Sequence, residues 1–229
     1  MSGLELLLLI DAGASMHAVE EFLDFCDQVH SQDVDECWSI TWLDTLREGK
    51  SLTLRLGVHT GLEDLPDQVW EIGARHARAF ALTEFEFTSW TIAENHVLLW
   101  EHQEPFSQLN IHGPASSHGE VLWDLHERHR AVAGHWIPFD RYLNSAFLAN
   151  RLSGGCGVLA DGPYRLLREY AAVLIESDLE PYFPYPPRPP HSWDTESNCW
   201  LDPDHNLSVL ILGGSSYVVG ADFFANRVE

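Results

Sequence analysis

The sequence predicts an α+β fold: a largely antiparallel β-sheet with about four helices packed mainly on one side of it. Three observations indicate this class. Apolar segments of strand length occur in adjacent blocks, segments with a helical repeat lie between those blocks, and the regular strand-helix-strand alternation of a parallel sheet is missing. Because 45% of the 229 residues are hydrophobic and no internal repeat is visible, we expect a single domain over residues 1–229, with a minor boundary near 150–157 as the alternative.

The N-terminal segment is predicted to form a buried strand, a turn and an amphipathic helix. Residues 3–11 are apolar and end at Asp-Ala-Gly, which is typical of a short strand that runs into a turn. In residues 15–29 the apolar residues recur at helical spacing on one face, while acidic residues share another face. We interpret Ser15 or Asp11 as the cap of this helix.

The next segments are predicted to form strands interrupted by one helix. Residues 39–43 and 51–59 are strand candidates, because a turn of Arg-Glu-Gly-Lys separates them. Residues 67–80 show a weaker helical repeat. Residues 84–92 alternate phenylalanine with polar residues, which indicates another strand.

The second half of the chain is predicted to add strands, two helices and a hairpin. Residues 97–102 and 106–112 are strand candidates, and the histidine-rich stretch that follows them is a helix candidate. A later helix begins near Pro163, since proline is favoured at the first helical position. Its apolar stripe consists of Leu166, Leu167, Tyr170, Ala171 and Leu174. Residues 207–224 are predicted to form a hairpin that turns at Gly-Gly.

Charge is the most unusual bulk property of the chain. Thirty-five acidic residues oppose thirteen basic ones, for a net charge of −22. This excess argues against partners that carry many negative charges, namely nucleic acids and anionic membranes. The longest N-terminal apolar run is far shorter than the ~20 residues that cross a bilayer, so we expect no membrane span. Four cysteines without a CxxC pair favour reduced thiols, and we expect a cytoplasmic protein.

The acidic segment 20–36 is the candidate surface for binding a partner. It holds seven acids and no lysine or arginine. Acids that are neighbours on one helix face repel each other, and a basic partner relieves that repulsion. The candidate partner-binding residues are Glu20, Asp24, Asp27, Asp33, Asp35 and Glu36. Our leading hypothesis is an acidic binding protein without a cofactor, such as an inhibitor or immunity-type protein, that docks onto a basic protein partner.

The histidine-rich stretch supports an alternative hypothesis. His126 and His129 are three residues apart, so they lie on one face of the predicted helix and are candidate ligands of zinc or another divalent metal. With Glu127 or Asp124 as the carboxylate, they predict a metal-assisted or acid–base hydrolase.

A core position for His129 competes with the metal hypothesis. The residue continues the apolar stripe of Leu122, Leu125 and Val132, where a histidine would pack its ring and hydrogen-bond one nitrogen. Neighbouring arginines would also repel a cation. We favour the core position, and the sequence leans away from an enzyme.

Two further segments have open interpretations. Gly154-Gly155-Cys156-Gly157 would place a thiol on a tight turn with histidines available as a base, but we favour the simpler interpretation that the glycines ease a turn into the strand that follows. Residues 181–190 hold six prolines and three aromatic residues, which is typical of a stiff crossing loop or of a polyproline ligand. A structural subunit of a larger assembly is the third functional alternative, and the oligomeric state stays open.

Overall fold

The computed structural model describes residues 19–32, 38–144, 148–190, 192–194, 199–201 and 206–228. In chain order the strands are β1 (Ser39–Glu48), β2 (Ser51–His59), β3 (Gln68–Ala81), β4 (Glu86–Phe87), β5 (Trp90–Ala93), β6 (Phe106–His112), β7 (Cys156–Pro163), β8 (Glu180–Tyr182), β9 (Ser192–Asp194), β10 (Cys199–Leu201), β11 (Ser208–Leu212) and β12 (Ser216–Arg227). The helices are α1 (19–32), α2 (Trp100–Gln103), α3 (His118–Ala133), α4 (Leu148–Gly154) and α5 (Tyr164–Glu176).

These elements confirm the α+β class. All strand pairings of the described residues are antiparallel, and four of the described helices are longer than one turn. The chain forms two compact units, of which the first combines Met1–Asn95 with Asn206–Glu229 and the second spans His96–His205. The single domain over residues 1–229 stays a prediction. The predicted strand at residues 3–11 and the predicted caps of the following helix, Asp11 and Ser15, lie outside the described residues.

The first unit is built on a seven-stranded sheet with the order β4-β1-β2-β3-β12-β11-β5. Every second residue of β2 is buried, from Leu52 to Val58, because successive side chains of a strand point to opposite faces. Helix α1 packs its apolar side into the same core, where Phe22 meets Trp70 edge-on with ring centroids 5.4 Å apart. The amphipathic helix predicted around residues 15–29 is therefore confirmed over its described part.

Strand β3 corrects a prediction, because residues 67–80 were expected to form a helix. The segment instead buries Trp70 and Ile72 at strand spacing and pairs with β2 on one side and β12 on the other. Gly73 allows the close approach of β2, since a Cβ atom there would lie 1.9 Å from the carbonyl oxygen of Leu52. Pairing along both edges of the segment outweighs a weak local helical repeat.

Glycine turns join the neighbouring strands of this sheet, as the sequence predicted. The β1–β2 turn contains Gly49 with φ at +58°, and the β11–β12 turn contains Gly213 with φ at +66°. Both angles lie in the left-handed region, which glycine adopts without a steric penalty. The second turn is held by the Glu84 carboxylate, which accepts hydrogen bonds from the Gly214 amide at 3.0 Å and the Ser215 hydroxyl at 2.6 Å. This bonding lowers the pKa of Glu84.

The second unit contains a three-stranded sheet with the order β7-β6-β8. Its core combines alternate residues of β6 with the inward sides of α3 and α5, including Leu109, Leu125 and Tyr170. The predicted stripe of α5 is confirmed, since all five of its members are buried. The proline-rich segment 181–190 begins in β8, and its Phe183 packs against this core while Tyr185 is exposed.

Residues 97–102 also correct a prediction, because they form a 3-10 turn and α2 instead of a strand. The side chain of His96 accepts a hydrogen bond from the Leu98 amide at 3.3 Å and so caps the turn. A short apolar run has no period long enough to distinguish a helix from a strand. The cap at His96 therefore favours the helical turn here.

Candidate functional site

The exposed side of α1 carries the acidic residues that the sequence singled out. Glu20, Asp24 and Asp27 are exposed, and so is Glu21. The opposite side of the helix is buried in the core of the first unit, which fixes the direction of the carboxylates. The remaining predicted residues lie outside the described residues, and their part in this surface stays a prediction: Asp33, Asp35 and Glu36.

This acidic side of α1, formed by Glu20, Glu21, Asp24 and Asp27, has no neutralising partner within the described part of the chain. Residues 19–32 include no lysine or arginine, and the described residues form no ion pair with these four carboxylates. Like charges three or four residues apart on a helix destabilise it by ~0.2–0.5 kcal/mol per pair. The side is therefore a concentrated negative surface on a rigidly anchored element.

His129 is a core residue of the second unit. It is 3% exposed, with Nδ1 at 2.6 Å from the hydroxyl of Tyr170 and Nε2 at 2.7 Å from the carbonyl oxygen of Ile137. A carbonyl oxygen can only accept a hydrogen bond, so Nε2 carries the hydrogen and donates a hydrogen bond to the Ile137 carbonyl. Nδ1 then accepts a hydrogen bond from the Tyr170 hydroxyl. Burial lowers the pKa of His129 from its ordinary 6.5. The hydrogen bond to Ile137 raises this pKa in part, and the neighbouring His126 lowers it further. The ring is neutral at pH 7.

The buried stripe of α3 differs from the predicted one by a small rotation of the helix. The buried residues are Val121, Leu125, His129 and Ala133. Leu122, which was predicted to lie on the stripe, is 39% exposed. The observed residues follow each other at intervals of four, which places them in one row along the helix.

His126 lies at the edge of this core, one turn of α3 before His129. Its ring meets Phe139 edge-on at 5.1 Å, and its Nδ1 is 3.5 Å from a carboxylate oxygen of Glu127. Both nitrogens of His129 are engaged, so a metal could bind it only if Ile137 or Tyr170 lost a hydrogen bond. Within the described ranges no group of three or more His, Cys, Asp or Glu side chains is arranged to hold a metal ion. The zinc hypothesis stays a prediction.

Sequence reasoning missed an imidazole–carboxylate pair in the first unit. Nδ1 of His59 lies 2.8 Å from Oδ2 of Asp67. The other carboxylate oxygen, Oδ1, accepts a hydrogen bond from the backbone amide of Thr60 at 2.9 Å. The Thr60 amide, assisted by His59, holds the pKa of Asp67 below its usual value. The two residues meet because His59 ends β2 and Asp67 immediately precedes β3. Only recognition of β3 as a strand could have predicted this contact.

Comparison of the chain with protein-family models, with curated proteins and with solved structures finds no match. Among the helices that the structure describes, none is long and apolar enough to cross a membrane.

Proposed function

We propose that this chain is an acidic binding protein that docks the acidic side of α1 onto a basic protein partner, as an inhibitor or immunity-type protein does. The observation that carries the proposal is the set of four exposed carboxylates that form no ion pair with any described residue, on a helix whose other side is anchored in a core.

Anchoring matters because it reduces the cost of binding. The helix does not have to fold when the partner arrives, so the interface loses little conformational entropy. The partner's lysine and arginine side chains relieve the repulsion between the carboxylates, which gives the complex a stabilisation that the isolated chain lacks.

Net charge adds a second, less specific contribution. A chain with a net charge of −22 attracts a cationic protein from a distance and raises the rate of encounter. At physiological ionic strength, salt largely screens this attraction at distances beyond ~8 Å. A useful experiment therefore has to separate the local surface from the total charge.

A pair of matched charge reversals makes that separation. The first variant replaces Glu20, Asp24 and Asp27 with lysine, and the control replaces the exposed acids Glu63, Asp64 and Glu94 with lysine. Each variant raises the net charge by six, from −22 to −16. Both variants and the natural chain serve as bait for host proteins at low and high salt, and the affinity of each captured protein is then measured with purified components.

The proposal expects a cationic protein that binds the natural chain and the control but binds the α1 variant at least tenfold more weakly, a loss of ~1.4 kcal/mol. Equal weakening by both variants would show that total charge alone drives binding and would remove α1 from the interface. Unchanged binding by both would remove the charge mechanism altogether.

The two alternative functions have separate tests. Elemental analysis of purified protein addresses the metal-assisted hydrolase: stoichiometric zinc that is lost in His126→Ala would favour it over the binding protein. Mass measurement by size exclusion in a native lysate addresses the structural subunit, which would elute as part of a large assembly. No specific contact in the described residues favours either alternative.

A further inference from the structure

A thiol, an imidazole and a carboxylate lie side by side on the three-stranded sheet of the second unit. His112 of β6 is in register with Cys156 of β7 on one side and with Glu180 of β8 on the other. Residues in register on antiparallel strands project to the same face, with Cβ atoms ~4.5–5.5 Å apart. The three side chains therefore form one row across the sheet, which we call the cross-strand row.

The cross-strand row lies on the solvent face of the sheet. Cys156, His112 and Glu180 are all exposed. The alternate residues of β6, Leu109 and Ile111, are fully buried on the opposite face. A small molecule in solution can therefore reach the thiol and the imidazole together.

Neighbouring side chains on this face orient the imidazole. The ring of Tyr182 stacks on His112, with centroids 4.9 Å apart and planes inclined by 12°. The Tyr182 hydroxyl accepts a hydrogen bond from the Asn110 amide at 3.2 Å, and Asn110 in turn accepts one from Gln108 at 2.8 Å. This chain of contacts holds the imidazole of His112 against the sheet.

The glycine turn before β7 places the thiol in the row. Gly155 has φ at +73°, and a Cβ atom there would lie 2.8 Å from the backbone nitrogen of Pro114, at the end of β6. Only glycine permits this approach, which brings the start of β7 alongside the end of β6. The Gly-Gly-Cys-Gly sequence thus serves both as a turn and as the support of an accessible thiol.

We propose that Cys156 is a reactive thiol that exchanges with low-molecular-weight disulfides, and that His112 takes up its proton. The Cys156 sulfur attacks one sulfur of the disulfide, a new S–S bond forms, and the old S–S bond breaks. The departing thiolate takes the proton from the imidazolium and leaves as a thiol. One disulfide is consumed and one is formed, so the step needs no other oxidant. Glu180 is a positioning residue that stabilises the imidazolium by its charge.

The product of this exchange is a mixed disulfide on Cys156. A second thiol has to reach Cys156 in order to expel the attached group. Cys26, the other cysteine whose side chain the structure describes, is fully buried in the first unit, and burial raises its pKa well above the usual range. Among the cysteine side chains that the structure describes, none is available to expel the attached group, so we expect the row to act as a modification site of the folded chain.

The test follows exchange of the full chain with 4,4′-dithiodipyridine, an uncharged disulfide whose released thiol absorbs light. The rate that belongs to Cys156 is the difference between the natural chain and Cys156→Ser, and peptide mass spectrometry verifies the modified residue. His112→Gln removes the base, and His118→Gln is the matched control because His118 is also exposed and lies in the same unit. Rates are recorded from pH 5.5 to 9.5, and circular dichroism verifies that each variant is folded.

We expect His112→Gln to slow exchange at pH 7 about threefold, to shift the pH profile upward and to leave the rate at high pH unchanged. His118→Gln should match the natural chain, and Glu180→Gln should shift the profile by less than His112→Gln. A shift of the pH profile distinguishes this role from a merely structural one, which would change the rate by the same factor at every pH. Identical profiles for the two histidine variants, or a Cys156 rate no higher than that of the urea-unfolded chain at pH 7, would overturn the proposal.

Discussion

The two units each hold a histidine in specific hydrogen bonds, but in opposite surroundings. His129 is buried, and both of its ring nitrogens are bonded to uncharged groups. The side chain of His59 is 59% exposed, and its Nδ1 is bonded to the equally exposed carboxylate of Asp67. If a partner is lost, water can replace it at His59 but not at His129. The same residue type therefore contributes very differently to stability, because burial decides the cost of an unmade hydrogen bond.

The largest expected effect comes from removing the buried ring. His129→Ala leaves the Ile137 carbonyl and the Tyr170 hydroxyl without partners and opens a cavity, so we expect the free energy of unfolding to fall by ~2–4 kcal/mol. Urea unfolding followed by circular dichroism measures this loss. His126→Ala is the control, since its ring is half-exposed and no hydrogen bond is broken; the expected loss is below ~1 kcal/mol. Equal losses in the two variants would contradict the comparison.

An intermediate effect is expected from acid. Because burial lowers the pKa of His129 in the folded state, the unfolded chain binds more protons below pH 6.5. The stability of the second unit should be complete above that pH and should fall as the pH drops toward the folded pKa. Hydrogen exchange of the α3 amides, measured at constant ionic strength and corrected for the intrinsic exchange rate, reports the stability of this unit at each pH.

The acid effect should depend on two histidines. His96 has a pKa that is also lowered, chiefly by burial and further by His135, so it contributes a change of the same sign. His129→Leu should reduce the pH dependence of α3 protection, and adding His96→Asn should reduce it further. A pH dependence that both variants retain in full would refute the assignment.

The smallest effect is expected at the exposed pair. Asp67→Ala removes the partner of His59, which water replaces, and the acceptor of the amide of the buried Thr60, which water replaces less readily. The expected loss is ~1–2 kcal/mol, below that of His129→Ala. Because the pKa of Asp67 is lowered, its contribution is present above the unfolded pKa of ~3.9 and disappears as the pH falls through the folded value. Asp64→Ala is the control, and urea unfolding at pH 7 and at pH 3 gives the comparison. A loss at pH 7 above 2 kcal/mol would place this pair on a level with His129.

Local periodicity predicted those elements whose neighbours in the fold agree with it. The stripe of α5 and the alternation of β2 are clear in the sequence, and both are confirmed. The segment that became β3 shows the limit, because its helical repeat was weak and one of its two strand partners, β12, comes from a distant part of the chain. Pairing with those partners adds stability that a local window cannot contain.

The candidate sites divide in the same way. The sequence alone determined the acidic excess, the helical spacing of Glu20, Asp24 and Asp27, and the glycines around Cys156, because these depend only on residue type and local period. Only the tertiary structure decided that His129 meets Ile137 and Tyr170, since helix rotation and the path of the following loop set those contacts.

The cross-strand row likewise required the tertiary structure. Its three members come from separate segments, and strand register brings them together. A register shift of one residue would turn each side chain to the other face, so residue identity alone could not predict the row. The sequence therefore determined which chemical groups are available, and the pairing of distant strands decided which of them meet.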